Sequence, residues 1–216
     1  MFVDAITIIS VMIIIASYLL GSVSAAIIVC RMMGLEDPRT VGSNNPGATN
    51  VLRHGGKKAA AITLFGDMLK GLLAVLLARL LDQGEVVIAL AGFAAFIGHL
   101  YPVFFRFEGG KGVATYFGAM LGIHWMTGLA ALMCWLLIAK VFKISSLAAL
   151  ITSVAVPVML YLQGSRTEVV ITCAVMSVML IWRHRSNISK LLAGTEGAIS
   201  AADSGESEKG SGDSGK

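Results

Sequence analysis

The 216-residue chain is 56% hydrophobic and only 14% charged, with a formal net charge of +4. That balance is too apolar for a soluble domain of this length and places the chain in a membrane. The basic sum could suggest an acidic partner, and no nucleic acid is expected as one; where the Lys and Arg fall matters more, because membrane proteins bias them toward cytoplasmic loops.

The chain begins Met1-Phe2-Val3-Asp4, without the basic leader or small-residue cleavage site of a signal peptide, so the first apolar run is expected to stay as an anchor. Residues 5–30 carry no charge and exceed the ~20 residues that cross a bilayer as a helix. A polar stretch from Arg31 to Lys58 follows, then a second apolar run, Ala59 to Leu81, that contains Asp67 and Lys70. The short turn Asp82-Gln83-Gly84-Glu85 leads into a third run, Val86 to Phe105.

Val113 to Ala139 admits two readings: one long span, or a short helix over 113–123 that turns near His124 and returns over 125–139. Runs at Ser146–Leu162 and Val169–Trp182 complete the set. The charges choose between them. With seven crossings and the N-terminus periplasmic, the segments 31–58, 106–112, 140–145 and 183–190 hold twelve Lys or Arg on the inner side, against Arg79 and Arg166 outside. The single-span reading removes that asymmetry, so the positive-inside rule predicts an all-α, seven-helix membrane protein with a cytoplasmic C-terminus. Its fourth helix is short: eleven residues reach only ~16 Å and need shelter from surrounding protein. Residues 1–193 are read as the membrane domain. Residues 194–216, rich in Gly, Ser and Glu, are read as a disordered cytoplasmic tail because they hold too little apolar surface to order themselves.

The cysteines Cys30, Cys134 and Cys173 lie singly in apolar runs, without metal-ligand spacing, and no metal or cofactor is expected. Four polar segments gather on the predicted inner face. In the segment 41–53, Ser43, Asn45, Gly47, Thr49, Asn50 and Arg53 bring hydroxyls, amides, backbone N–H groups and a guanidinium suited to an anion. A plain connecting loop has the same turn-residue composition. In Glu108-Gly109-Gly110-Lys111-Gly112, the glycines allow successive N–H groups to face one concavity at the start of a helix, and Lys111 completes a phosphate site. The spacing is not that of a Walker A motif, and a flexible turn is the alternative.

Asp67 and Lys70 lie three apart on one helical face within the membrane, where charges are costly and face a functional cavity or each other. In Arg183-His184-Arg185-Ser186-Asn187, His184 and Asn187 share a face at the interface, and His184 is a candidate base or hydrogen-bond donor. His99 ends the third span, where packing accounts for it; His54 and His124 have no evident partner. No His-x-x-x-x-Asp pair, GxSxG elbow or HExxH motif occurs.

Together these segments resemble the bacterial acyl-phosphate:glycerol-3-phosphate acyltransferases, from about Leu20 to Leu192. The family's elements stand here as Gly21-Ser22, the loop Gly42 to Arg53, Asp67 to Gly71, the block Gly98 to Thr115, Ser146-Leu147, and Arg183 to Ile188. Asn44 replaces the usual loop glycine, and Ser24 stands where many members have proline.

The resemblance implies transfer of a fatty acyl group from acyl phosphate to the 1-hydroxyl of glycerol 3-phosphate, giving lysophosphatidic acid and phosphate in the bacterial inner membrane. It implies Ser43, Arg53, Lys111, His184 and Asn187 as catalytic residues. Asn45, Gly47, Thr49, Asn50, Asp67, Lys70, Gly109, Gly110, Gly112 and Ser146 are the expected binding residues, with membrane lipid as surroundings and no obligate protein partner. The acyl chain is expected to arrive sideways from the bilayer, near Gly92 and Gly118. A small phosphate transporter is the rival reading; it would favour a midplane site and inverted repeats, and no repeat is evident.

Overall fold

A computed structural model describes residues 8–199. The expected start of the first span before residue 8 and the tail from 200 onward lie outside the described residues. The described chain is helical, with α1 (Ile8–Gly21), α2 (Ala25–Met32), α3 (Ala48–Leu80), α4 (Glu85–Leu100), a 3-10 turn at Val103–Phe105, α5 (Val113–Ile123), α6 (Trp125–Phe142), α7 (Ser145–Leu162), α8 (Thr167–Arg183) and α9 (Arg185–Leu192).

Among the described residues five stretches are long and apolar enough to cross a membrane: Ile8–Met32, Ala48–Leu80, Glu85–Phe105, Trp125–Phe142 and Ser145–Leu162. The pair α8 and α9, bent by 59°, adds a sixth when taken as one span. Their outward faces are apolar, as with Phe65 at 61% and Leu137 at 64% exposure. Contiguous apolar surface of this kind is matched by lipid, not by water.

The first span is broken at Ser22-Val23-Ser24. Ser24 caps α2 by accepting the Ile27 N–H at 3.4 Å, which suits serine at a position where proline would also start a helix. A break inside the membrane strands backbone groups. Here the buried pair on α3 takes them up: Lys70 Nζ donates to the Val23 carbonyl at 2.7 Å, and Asp67 Oδ1 accepts the Ala25 N–H at 3.3 Å. Lys70 and Asp67 are themselves 2.9 Å apart.

α3 begins at Ala48, so the polar stretch expected to run to Lys58 is helical from its second half. Gly56, at φ +78°, kinks it. Thirty-three residues give ~50 Å, well beyond a ~30 Å hydrocarbon core, and so the first turns stand outside it.

The region after Gly112 adopts the two-helix arrangement, with His124 extended between α5 and α6. The shelter that so short a helix requires is present: Thr115 to Met120 are all buried. Contact with α3 is so close that a methyl group at Gly71 would stand 2.3 Å from the Thr115 carbonyl oxygen, and one at Gly118 would meet the Met68 carbonyl. Such approach is open only to residues without a Cβ. Thr115 Oγ1 also donates to the Asp67 carbonyl at 2.9 Å. At its far end Arg79 donates to the carbonyls of Gly122 at 2.9 Å and Ile123 at 2.7 Å, supplying the cap and positive charge that a helix C-terminus favours.

Candidate functional site

At the loop end of the bundle lies a cavity of about 450 Å³. Its polar mouth is built by the segment 41–53, by Lys111 and Gly112, by Ser146 at the start of α7, and by His184 and Asn187 at the α8–α9 bend. Its inner end passes into an apolar groove between α3, α5 and α6, lined by Leu64, Met68, Phe117, Leu132, Trp135 and Leu136.

The groove does not run past Gly92 and Gly118, where lateral access was expected. Those positions are closed by Val75, Ala119 and Ile123 at Gly92 and by the Met68 backbone at Gly118. Small residues there draw helices together and leave no room for a chain.

Asn50 organises the first segment. Its amide nitrogen donates to the carbonyls of Pro38 at 2.8 Å and Val41 at 3.0 Å, and its Oδ1 accepts the Ser43 N–H at 3.1 Å. Asn50 is buried, and its polar atoms are committed to holding the loop in shape. Asn44 sits at φ +53°, a left-handed conformation that Asn tolerates better than most non-glycine residues, which accounts for its place at a glycine-like position.

The Gly109-Gly110 segment is gripped from both sides. Arg183 donates to the carbonyl oxygens of Gly109 at 2.8 Å and Gly110 at 3.0 Å. The Gly110 N–H donates to the His99 carbonyl at 3.1 Å. The expected row of N–H groups facing one concavity is therefore incomplete, because the Gly110 donor is bound within the protein. Gly112, at φ +88°, turns the chain into α5, whose first residues Val113 and Ala114 line the cavity. The N-terminal end of that helix presents its partial positive charge there.

A hydrogen-bonded chain crosses the mouth. Lys111 Nζ donates to Asn187 Oδ1 at 2.5 Å, Asn187 Nδ2 donates to Glu196 Oε1 at 2.6 Å, and Ser146 Oγ donates to the same oxygen at 2.7 Å. Burial holds the Lys111 ammonium down to about 8, against the upward pull of Glu196 and with further lowering from Lys190, Arg183 and Arg53. Arg53 donates to the carbonyls of Gly197 at 2.9 Å and Ala198 at 2.8 Å. His184 is buried and its Nδ1 donates to the Leu180 carbonyl at 2.8 Å. In the neutral ring that leaves the lone pair on Nε2.

Of the segment read as a tail, the described residues 194–199 have no regular secondary structure but make polar contacts with other segments. They are tied down by Arg53, by Glu196, and by an Ile199 N–H bond to the Lys143 carbonyl at 2.8 Å.

Of the residues singled out in the sequence, Ser43, Asn45, Gly47, Thr49, Asn50, Arg53, Asp67, Lys111, Gly112, Ser146, His184 and Asn187 all border this cavity. Gly109 and Gly110 form the supporting turn behind Lys111. Lys70 is directed instead at the broken first span. Glu196 was missed, since nothing in a glycine- and serine-rich tail marks one acid as a partner of Ser146 and Asn187. A cue existed in its place just beyond the helix that carries His184 and Asn187. Arg183 and His99 were seen only as a charged flank and a packed ring.

Residues 11–194 match the family model described as glycerol-3-phosphate acyltransferase. A glycerol-3-phosphate acyltransferase of Burkholderia pseudomallei is 57% identical, over 86% of this chain and 93% of the relative. One of Methylococcus capsulatus is 52% identical over the same shares. Among solved structures, PlsY (YgiH), an integral membrane glycerol 3-phosphate acyltransferase in its glycerol 3-phosphate form, superposes with a TM-score of 0.84 at 37% identity, covering 88% of this chain and 94% of that one. Its lysophosphatidic acid form superposes with a TM-score of 0.82 at 35% identity. A match this extensive, over a cavity whose polar mouth gathers cations and amides, makes this integral membrane chain a member of the glycerol-3-phosphate acyltransferase family.

Proposed function

We propose that this protein transfers a fatty acyl group from acyl phosphate to the 1-hydroxyl of glycerol 3-phosphate, releasing lysophosphatidic acid and inorganic phosphate. The observation that carries the reading is the two-part cavity: a mouth with Lys111, Arg53, amides and hydroxyls joined to an apolar groove that ends at Trp135 and Leu136. A phosphate-bearing acyl donor has this same division. Glycerol 3-phosphate needs only the polar half.

In the reaction the 1-hydroxyl oxygen attacks the acyl carbonyl carbon, the bond from that carbon to the phosphate oxygen breaks, and phosphate leaves. The hydroxyl proton ends on the released phosphate, so the step balances without a further reagent. Acyl phosphate is already an activated mixed anhydride; holding both phosphates and stabilising charge on the oxygens supplies most of what catalysis requires. Lys111, Arg53, Ser43 and Ser146 are assigned to the phosphates and the carbonyl oxygen. His184 and Asn187 orient the hydroxyl. The proton passes to a substrate phosphate oxygen. A bell-shaped pH profile that collapses in His184→Ala would assign it to His184 Nε2 instead.

Seven crossings are the topology that accompanies this reading, with α5 as the short fourth, the N-terminus periplasmic, and the cavity mouth cytoplasmic in the bacterial inner membrane. In this reading residues 1–193 form the membrane catalytic domain, with Glu196 beyond it reaching the mouth. The decisive assay supplies labelled glycerol 3-phosphate to the purified protein with either acyl phosphate or acyl-CoA. Lysophosphatidic acid from acyl phosphate alone is expected. Product from acyl-CoA only would reject the donor, and no product from either would reject the enzyme; phosphate uptake into sealed vesicles without acyl transfer would favour a transporter.

A further inference from the structure

His99 lies in the last turn of α4, is 6% exposed, and borders the cavity, yet the chemistry above gives it no part. Its Nδ1 is buried without a hydrogen bond; Asp67 Oδ1 stands 3.6 Å away, too far for one. Leaving a polar atom so placed is unfavourable, and an apolar side chain would fill the volume without that cost.

The ring's other edge indicates what it serves. A methyl group at Gly110 would lie 2.2 Å from His99 Nε2, and one at Gly109 would lie 2.1 Å from the His99 carbonyl oxygen. That same carbonyl accepts the Gly110 N–H at 3.1 Å. The glycine turn therefore lies directly on residue 99, backbone and ring both, while Arg183 holds its carbonyls from the opposite side. Lys111 follows at the next residue. The turn thus carries the backbone from which the Lys111 ammonium reaches Asn187 Oδ1.

We propose that His99 is a positioning residue of the site: its ring is the bed on which Gly109-Gly110 lies, and so it places Lys111 toward the phosphate substrates. The proposal rests on the acyltransferase reading for its kinetic consequence and on packing alone for its geometry. Removing the ring opens a gap beneath Gly110, the turn settles into it, and Lys111 leaves its place at the mouth. Asp67 Oδ1 lies 3.6 Å from the ring's Nδ1.

The test uses the full chain in lipid nanodiscs, with initial rates against each phosphate substrate for His99→Ala, His99→Gln, Gly110→Ala and the His99→Ala/Gly110→Ala double variant. Displacement of a binding group by a fraction of an ångström predicts a KM about tenfold higher for at least one phosphate substrate in His99→Ala, with His99→Gln within about threefold of the unaltered protein. Because the methyl of Gly110→Ala meets the ring, that change is expected to be harmful alone and much less so once the ring is gone, a coupling that distant sites do not show.

The proposal is overturned if His99→Ala lowers only the rate, in step with a smaller folded fraction, while both KM values stay unchanged. Strict additivity of the two substitutions overturns it as well. Should His99→Ala fail to fold, His99→Asn takes its place in the same cycle. If the unaltered protein makes no lysophosphatidic acid, the acyltransferase reading fails separately, and the cycle is then read by thermal unfolding, where additivity again rejects the placement.

Discussion

Two charged clusters meet at this cavity and are put together on opposite plans. The inner one, Asp67 with Lys70, is closed: each member is buried, each faces the other at 2.9 Å, and their remaining reach is taken by the broken backbone at Val23 and Ala25. The outer one, Lys111 with Asn187, Glu196 and Ser146, is open to the cavity and draws its members from four separate segments. An ionic group whose partners are all internal serves the fold. One whose partners lie around a cavity is available to a ligand.

The largest effect that would break this contrast is expected at Lys70. Lys70→Met leaves the Asp67 carboxylate buried and unpaired, which costs about 3–5 kcal/mol of stability. Thermal unfolding in detergent checks it, and an unfolding temperature equal to that of the unaltered protein would place Lys70 among the groups that serve a ligand. Lys111→Ala should do the reverse. Loss of one group that stabilises developing charge predicts a fall of at least about a hundredfold in acyl-transfer rate with little change in unfolding temperature. A comparable loss of stability would erase the distinction between the clusters.

Glu196 is the next test, because it belongs to the open cluster without being a cation. Removing it frees Asn187 Nδ2 and Ser146 Oγ from their shared acceptor, and the misplacement of those groups predicts a decrease of about tenfold in kcat/KM for Glu196→Ala. Glu196→Gln, which keeps an acceptor oxygen, should recover most of it. Equal losses in the two variants would show that the charge, not the hydrogen bonds, is what the site needs.

The smallest effect is on the pH profile. Burial lowers Lys111 to about 8 in the free protein, so it is charged below that pH and neutral above it. The kcat/KM for a phosphate substrate should fall as pH rises through about 8. A bound phosphate dianion favours the charged lysine, so the corresponding limb in kcat should lie at higher pH. In Lys111→Arg the alkaline limb at pH 8 should vanish. A limb that persists there belongs to another group.

Much of this architecture was legible before any coordinates. The break at His124 between two helices was one of two readings that apolar length allowed, and the side of the membrane on which Lys140 and Lys143 fall selected it. Ser43, Arg53, Lys111, His184 and Asn187 were singled out by their chemistry and Ser146 by the family resemblance, and all border one cavity. Lys70 was grouped with them through the family resemblance, while its spacing from Asp67 left open that the two charges face each other. That inference missed the competing demand, a pair of stranded backbone groups at Val23 and Ala25 that no local pattern in α3 announces. Glu196 was missed for the opposite reason, its neighbours in sequence being Gly, Thr and Gly, while its partners Ser146 and Asn187 are supplied by α7 and α9.

The amino-acid sequence by itself determined the membrane environment, the helical class and the collection of anion-friendly groups, because hydropathy, helix length and side-chain chemistry are properties of short segments. Only the tertiary structure decided which charge faces which partner and where an acyl chain can lie. Those outcomes depend on approach between segments far apart in the chain: α3 against α5 through Gly71 and Gly118, Lys70 against the break at Val23, and the turn at Gly110 against the ring of His99. Close packing fixes such distances to within fractions of an ångström, and no spacing along the sequence encodes them.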